Sequence, residues 1–167
     1  MTPLPASLGG TGLIAWRLDH DDYKATWDSG EGPRLVGGRW NGKGQRVVYC
    51  ALDPATAILE VAVHKSFYVL DTVPHVLTSL SVLEPGSVHV VQPHSISNAN
   101  WLRPGIPGVG QQHFGNQLLA NHKFIVLPSS VSTHSWNLIF DPDKAKGAYQ
   151  FKAQERFALD TRLNPIP

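Results

Sequence analysis

The sequence predicts an α+β fold in a single domain, with a partly antiparallel central sheet and flanking helices. Three observations predict it. Short β-branched and aromatic runs recur along the chain and read as strands. Two longer stretches carry apolar residues at helical spacing or good helix formers. Strands and helices then mix without regular strand–helix–strand alternation, which argues against a wholly parallel sheet. A chain of 167 residues suits one domain and can bury one core without staples.

Residues 1–12 are rich in Pro, Gly and Ser and read as a loose leader ahead of a domain spanning 13–163. Residues 13–18 (LIAWRL) form a strand with Trp16 and Leu18 on one face and Arg17 on the other. Residues 19–24 are a short helical turn capped by Asp19. Residues 26–38 are loop, punctuated by glycines and Pro33. Residues 46–51 (RVVYCA) are a strand. Asp53-Pro54 starts a helix over 55–65, because Asp53 can accept from free N–H groups and Pro54 has none to lose. Residues 76–83 (VLTSLSVL) alternate with period two and read as a half-buried strand, followed by a turn at Pro85-Gly86 and a short strand over 88–91. A loop runs from 92 to 111, a length that is often functional. Residues 113–122 suit a helix, although Gly115 weakens it. Residues 124–127 are a strand halted by Pro128, 137–141 another, and 149–159 the last. Residues 164–167 are a tail.

Composition excludes several functions. Net charge is +1 and there is no cluster of Lys and Arg, so no field draws nucleic acid. Charged residues make up 16% of the chain, below the usual share of about 25%. The single cysteine, Cys50, allows no intrachain disulfide and reads as packing, which fits a reducing compartment. The N-terminus has no signal-peptide pattern and no run reaches about 18 apolar residues, so no membrane span is expected and the cytoplasm is the expected location. The eight histidines are scattered without metal-ligand spacing, so no metal is expected.

The stretch 37–64 (GGRWNGKGQRVVYCALDPATAILEVAVH) holds three polar side chains that structure alone does not require. Arg39 lies in a Gly-rich loop, where a guanidinium can grip phosphate or carboxylate in a bidentate manner. A solvated surface Arg is the commoner reading of such a loop standing alone. Tyr49 can stack on an aromatic ligand and offer its hydroxyl, or be an ordinary strand tyrosine. Glu60 sits among Leu59, Val61 and Val63, so its carboxylate needs solvent, a partner or a cleft. In a cleft it can bind a ribose hydroxyl or face an oxocarbenium-like centre. Ser129 and Ser130 follow Pro128 at a strand end, where hydroxyls can meet a phosphate. No G-x-S-x-G elbow surrounds them.

Taken together, these residues resemble the RES-domain toxins of RES–Xre toxin–antitoxin pairs. The resemblance rests on Trp16-Arg17, Gly38-Arg39-Trp40-Asn41, Val48-Tyr49-Cys50-Ala51 and Ala57-Ile58-Leu59-Glu60. It continues through Phe114-Gly115, Leu127-Pro128-Ser129-Ser130-Val131 and Asn137-Leu138-Ile139-Phe140-Asp141-Pro142 to residues 156–163 (RFALDTRL). It implies an ADP-ribosyltransferase-like fold and a toxin that depletes NAD by cleaving its nicotinamide–ribose bond, as glycohydrolase or phosphorylase. NAD is then a substrate and inorganic phosphate a possible co-substrate, with no resident cofactor. The resemblance makes Arg39, Glu60 and Tyr49 catalytic, and Arg17, Arg39, Tyr49, Ser129 and Asn137 the NAD-binding set, with Ser130 an alternative to Ser129. It also implies a cognate Xre-type helix-turn-helix antitoxin and allows a homodimer within that complex. Protein ADP-ribosylation and a non-catalytic co-repressor role are the competing readings.

Overall fold

The computed structural model describes residues 12–165. Its centre is a seven-stranded sheet in the order β4-β5-β6-β2-β1-β3-β7. The strands are β1 (Leu13–His20), β2 (Val48–Ala51), β3 (His75–Val82), β4 (Val88–Val90), β5 (Phe124–Pro128), β6 (Trp136–Phe140) and β7 (Tyr149–Phe157). All neighbours pair antiparallel except β4 and β5, which are parallel. The helices are α1 (Glu31–Val36), α2 (Pro54–Lys65), α3 (Phe67–Thr72) and α4 (Val109–Asn121). The expected α+β class with a partly antiparallel sheet is what the chain forms.

Side-chain alternation gives the sheet two apolar faces. Leu13, Ala15, Val48, Cys50, Val126, Leu138 and Phe140 project to one face and pack with Trp27. On the other face, Ile125, Leu127 and Ile139 pack with Trp40 and Leu119, while Leu18 and Leu77 pack with Ala62 and Leu70 of α2 and α3. Cys50 is core packing, as read from the sequence, and burial pushes its thiol up to about 12.

Several elements differ from expectation. Helix α1 stands where residues 26–38 suggest only loop. Its single turn is tied by an ion pair in which Arg34 Nε lies 2.9 Å from Glu31 Oε1. The turn after β1 is capped by the His20 ring, which accepts from Asp22 N, and not by Asp19, which belongs to β1. Strand β3 is buried along its whole length rather than half-buried, because β1 and β7 flank it and apolar clusters cover both faces. Its Thr78, Ser79 and Ser81 are small enough to be accommodated inside; Gln154 Nε2 donates to Thr78 Oγ1 at 2.8 Å. Helix α3 follows α2 after a break at Ser66, whose φ is +73°. The loop over 92–111 is shorter than expected, because two 3-10 turns (Pro93–Ser95 and Ala99–Leu102) interrupt it and α4 begins at Val109. Strand β7 ends at Phe157. The leader over 1–12 lies, save Gly12, outside the described residues.

Candidate active site

The sheet opens where β1 and β2 separate. These strands pair at one position only, Trp16 opposite Ala51. Beyond it, the carbonyl of Tyr49, which a continuing ladder would have engaged, accepts instead from Arg17 Nη1 at 2.8 Å. A cleft of ≈ 970 Å³ occupies the gap, large enough for a dinucleotide. Arg17, Arg39, Tyr49, Glu60, Ser130 and Asn137 all line it.

Glu60 reaches the cleft from α2, a helix whose start is fixed by Asp53 accepting from Thr56 N at 2.8 Å. Two side chains hold its carboxylate. Ser129 Oγ donates to Glu60 Oε1 at 2.9 Å and Asn137 Nδ2 donates to the same oxygen at 2.6 Å. The serine's orientation is fixed in turn. Its oxygen accepts from Val131 N at 3.2 Å and Ser132 N at 3.1 Å, so its proton has one place to go. Oε2 of Glu60 carries no hydrogen bond within the described residues. The arrangement pins one oxygen and leaves the other for a ligand.

The sequence-derived residues thus converge, with a division of labour the sequence did not reveal. Ser129 is buried and turned onto Glu60, whereas Ser130 lines the cleft with a buried, unpartnered hydroxyl. Tyr49 presents its ring, but its hydroxyl is committed. It donates to Asn41 Oδ1 at 2.7 Å and accepts from Trp40 N at 3.0 Å. Burial pushes that phenol up, keeping it protonated. Asn41, fully buried, also donates to the carbonyl of Pro33 at 3.0 Å and so organises the Gly-rich loop from within.

Arg39 projects from that loop toward the opposite wall. Its Nη2 donates to the carbonyl of Gly105 at 3.0 Å and its Nη1 to those of Trp101 and Arg103 at 3.3 and 3.4 Å. These neutral acceptors hold the guanidinium at the cleft without cancelling its charge. The loop itself is clamped by α4. Gln112 Nε2 donates to the carbonyl of Gly38 at 2.9 Å, and Asn116 Oδ1 accepts from Gly42 N at 3.2 Å. Gly115 lets the two meet, since a Cβ there would sit 1.9 Å from the Trp40 carbonyl oxygen. The glycine that weakens α4 in the sequence is the point of contact with the site.

Arg17 and Asp19, two apart on β1, lie on one face and pair at 2.7 Å. Sequence reasoning missed Asp19 as a cleft residue; the signal was its period-two spacing from Arg17. Four buried polar atoms of cleft-lining residues lack a partner: Arg17 Nε, Asp19 Oδ2, Ser130 Oγ and Asn137 Oδ1. Buried polar groups are rarely left unpaired.

Known proteins resemble this chain along most of its length. The RES domain family model matches residues 14–160. "Toxin Res" of Photorhabdus laumondii is 28% identical over 156 residues, covering 90% of this chain and 97% of that protein. "Prs ADP-ribosylating toxin" of a Sphingobium species is 31% identical over 164 residues, covering 89% of this chain and 94% of that protein. A chain of the M. tuberculosis MbcT–MbcA toxin–antitoxin complex superposes with a TM-score of 0.70 at 16% identity, covering 88% of this chain and 85% of that one. That last likeness is one of fold.

Proposed function

The chain belongs to the RES domain family, and on that premise we propose that it is the toxin of a toxin–antitoxin pair that cleaves the nicotinamide–ribose bond of NAD. The observation that carries the reading is Glu60, which lines a dinucleotide-sized cleft with Oε1 pinned by Ser129 and Asn137 and Oε2 without a hydrogen bond among the described residues.

The chemistry asks little of the protein beyond position and charge. Nicotinamide is a cationic leaving group in NAD and departs neutral, so no general acid is required. As the C–N bond breaks, positive charge grows at the anomeric carbon, and a fixed carboxylate stabilises it. Glu60 supplies that carboxylate and binds a ribose hydroxyl. Arg39 and Arg17 place positive charge along the pyrophosphate, with Ser130 a further donor and Ser129 acting through Glu60. The ring of Tyr49 packs on the ligand. Water or phosphate then forms the new C–O bond and releases its proton, giving ADP-ribose or its 1-phosphate.

Incubating the purified protein with NAD, with and without phosphate, and identifying the products tests this reading. Free nicotinamide with either product supports it; intact NAD in both cases overturns it. A second reading, transfer of ADP-ribose to a protein, is favoured by the printed name of the Sphingobium relative. NAD labelled in the ADP-ribose moiety separates the two, since label on protein appears only in the second. The expected partner is an antitoxin of the Xre type that covers the cleft. The non-catalytic co-repressor reading predicts instead a DNA shift that needs this chain while NAD stays intact.

A further inference from the structure

We propose that Asn41 and the Tyr49 hydroxyl are a positioning pair: they act on the reaction by way of Arg39, holding the turn from which its guanidinium projects. The inference rests on the NAD-cleaving reading above and deepens it.

Arg39 is held on both sides. Before it, Gly38 N donates to the carbonyl of Asn41 at 2.9 Å, closing residues 38–41 into a turn. After it, Trp40 N donates to the Tyr49 hydroxyl at 3.0 Å, and that hydroxyl donates to Asn41 Oδ1 at 2.7 Å. Gly38 lies against both groups, since a Cβ there would sit 2.6 Å from Asn41 Oδ1 and 2.6 Å from the Tyr49 hydroxyl oxygen. The side chain of Asn41 is fully buried, and its Nδ2 reaches the carbonyls of Pro33, Gly42 and Gln45 at 3.0, 3.0 and 3.2 Å. Tyr49 is fixed at its other end by β2, where it pairs with Ile139 of β6. Its hydroxyl thus carries the position of the sheet to the turn.

The loop needs such a support. Gly37, Gly38, Gly42 and Gly44 give it conformational freedom and no side chains with which to pack. A guanidinium offers its donors in a rigid planar fork, so its grip on a phosphate depends on where its own backbone stands. The other role open to a tyrosine hydroxyl in a cleft is to donate to the ligand or to move a proton. Here the proton is committed to a buried amide oxygen. Turning it to a ligand would leave Asn41 Oδ1 unpaired, which is costly. The two roles differ in kinetics. The pyrophosphate does not change as the C–N bond breaks, so a grip on it is equal in the ground and transition states. Loosening that grip raises KM and leaves kcat near wild type, whereas loss of a group acting on the reacting centre lowers kcat.

The test is a double-mutant cycle on kcat and KM for NAD, with Tyr49→Phe made in the wild type and in Arg39→Lys. A lysine keeps the charge on a flexible stem, so turnover stays measurable while the need for a held turn is removed. Tyr49→Phe is expected to raise KM by about fivefold to fiftyfold in the wild type and by about twofold or less in Arg39→Lys, with kcat near that of its parent in each. KM does not depend on the folded fraction of the sample, so a loss of stability alone does not produce this pattern. Asn41→Ser, taken through the same cycle, is expected to behave alike, and either variant decides the matter if the other does not fold. An unchanged KM, equal rises in the two backgrounds, or a fall in kcat in place of the rise in KM overturns the assignment while leaving NAD cleavage intact. If the wild type consumes no NAD, the proposed function itself fails and this inference falls with it.

Discussion

At Glu60 one carboxylate oxygen is anchored by Ser129 and Asn137, and the other carries no hydrogen bond among the described residues. Replacing the residue with Gln keeps the shape and removes the charge. Glu60→Gln is expected to lower kcat for NAD by about a hundredfold to a thousandfold while the thermal midpoint stays near wild type. Ser129 acts one step back. Its hydroxyl links the N–H groups of Val131 and Ser132 to Glu60 Oε1. Ser129→Ala strands two donors and loosens the carboxylate. It is expected to cost about 1–3 kcal/mol of stability, read by denaturant unfolding, and to lower kcat more than it raises KM.

At the scale of elements, the site is made by contacts between segments far apart in sequence. Helix α4 is the clearest case. It touches the Gly-rich loop through Gln112, Gly115 and Asn116 and contributes only Gln112 to the cleft wall. Gly115→Ala drives a methyl group into the Trp40 backbone. It is expected to destabilise the fold by about 1–3 kcal/mol and, by displacing the loop that carries Arg39, to raise KM for NAD; thermal unfolding and initial rates check both. The same elements show what the sequence makes legible. Helix α2 is readable because its start signals are local: Asp53 supplies the cap and Pro54 the first position. Helices α1 and α3, of six residues each, are too short to show a period, so their own sequence does not announce them. Strand β3 alternates in sequence and is nonetheless buried on both faces, since its neighbours β1 and β7 are not encoded in its own pattern. Arg39, Tyr49, Glu60, Ser129 and Asn137 could be singled out from residue type and resemblance. That Ser129 serves Glu60, that the Tyr49 hydroxyl is spent on Asn41, and that Asp19 belongs to the cleft are tertiary facts.

At the scale of the molecule, pH dependence follows from two imidazoles, His75 buried and His122 half-buried. Burial is the first cause holding both His75 and His122 below the ordinary histidine value; His122 also stacks on His89 with ring centroids 3.9 Å apart. Such a group takes a proton more readily once the chain unfolds. The stability it contributes is present above the unfolded value of about 6.5 and is lost as pH falls through it toward the folded one. The thermal midpoint is therefore expected to fall between about pH 7 and pH 5.5, before the carboxylates titrate. A His75→Gln, His122→Gln double variant should show a shallower slope over that range.

The whole arrangement, a sheet parted between β1 and β2 with a pinned glutamate at the opening, is explained most simply by cleavage of a dinucleotide there. Its most direct test is the rate of nicotinamide release from NAD by purified wild-type protein beside the equally folded Glu60→Gln variant. The account predicts release by the wild type and near-background release by the variant; equal rates from the two would contradict it.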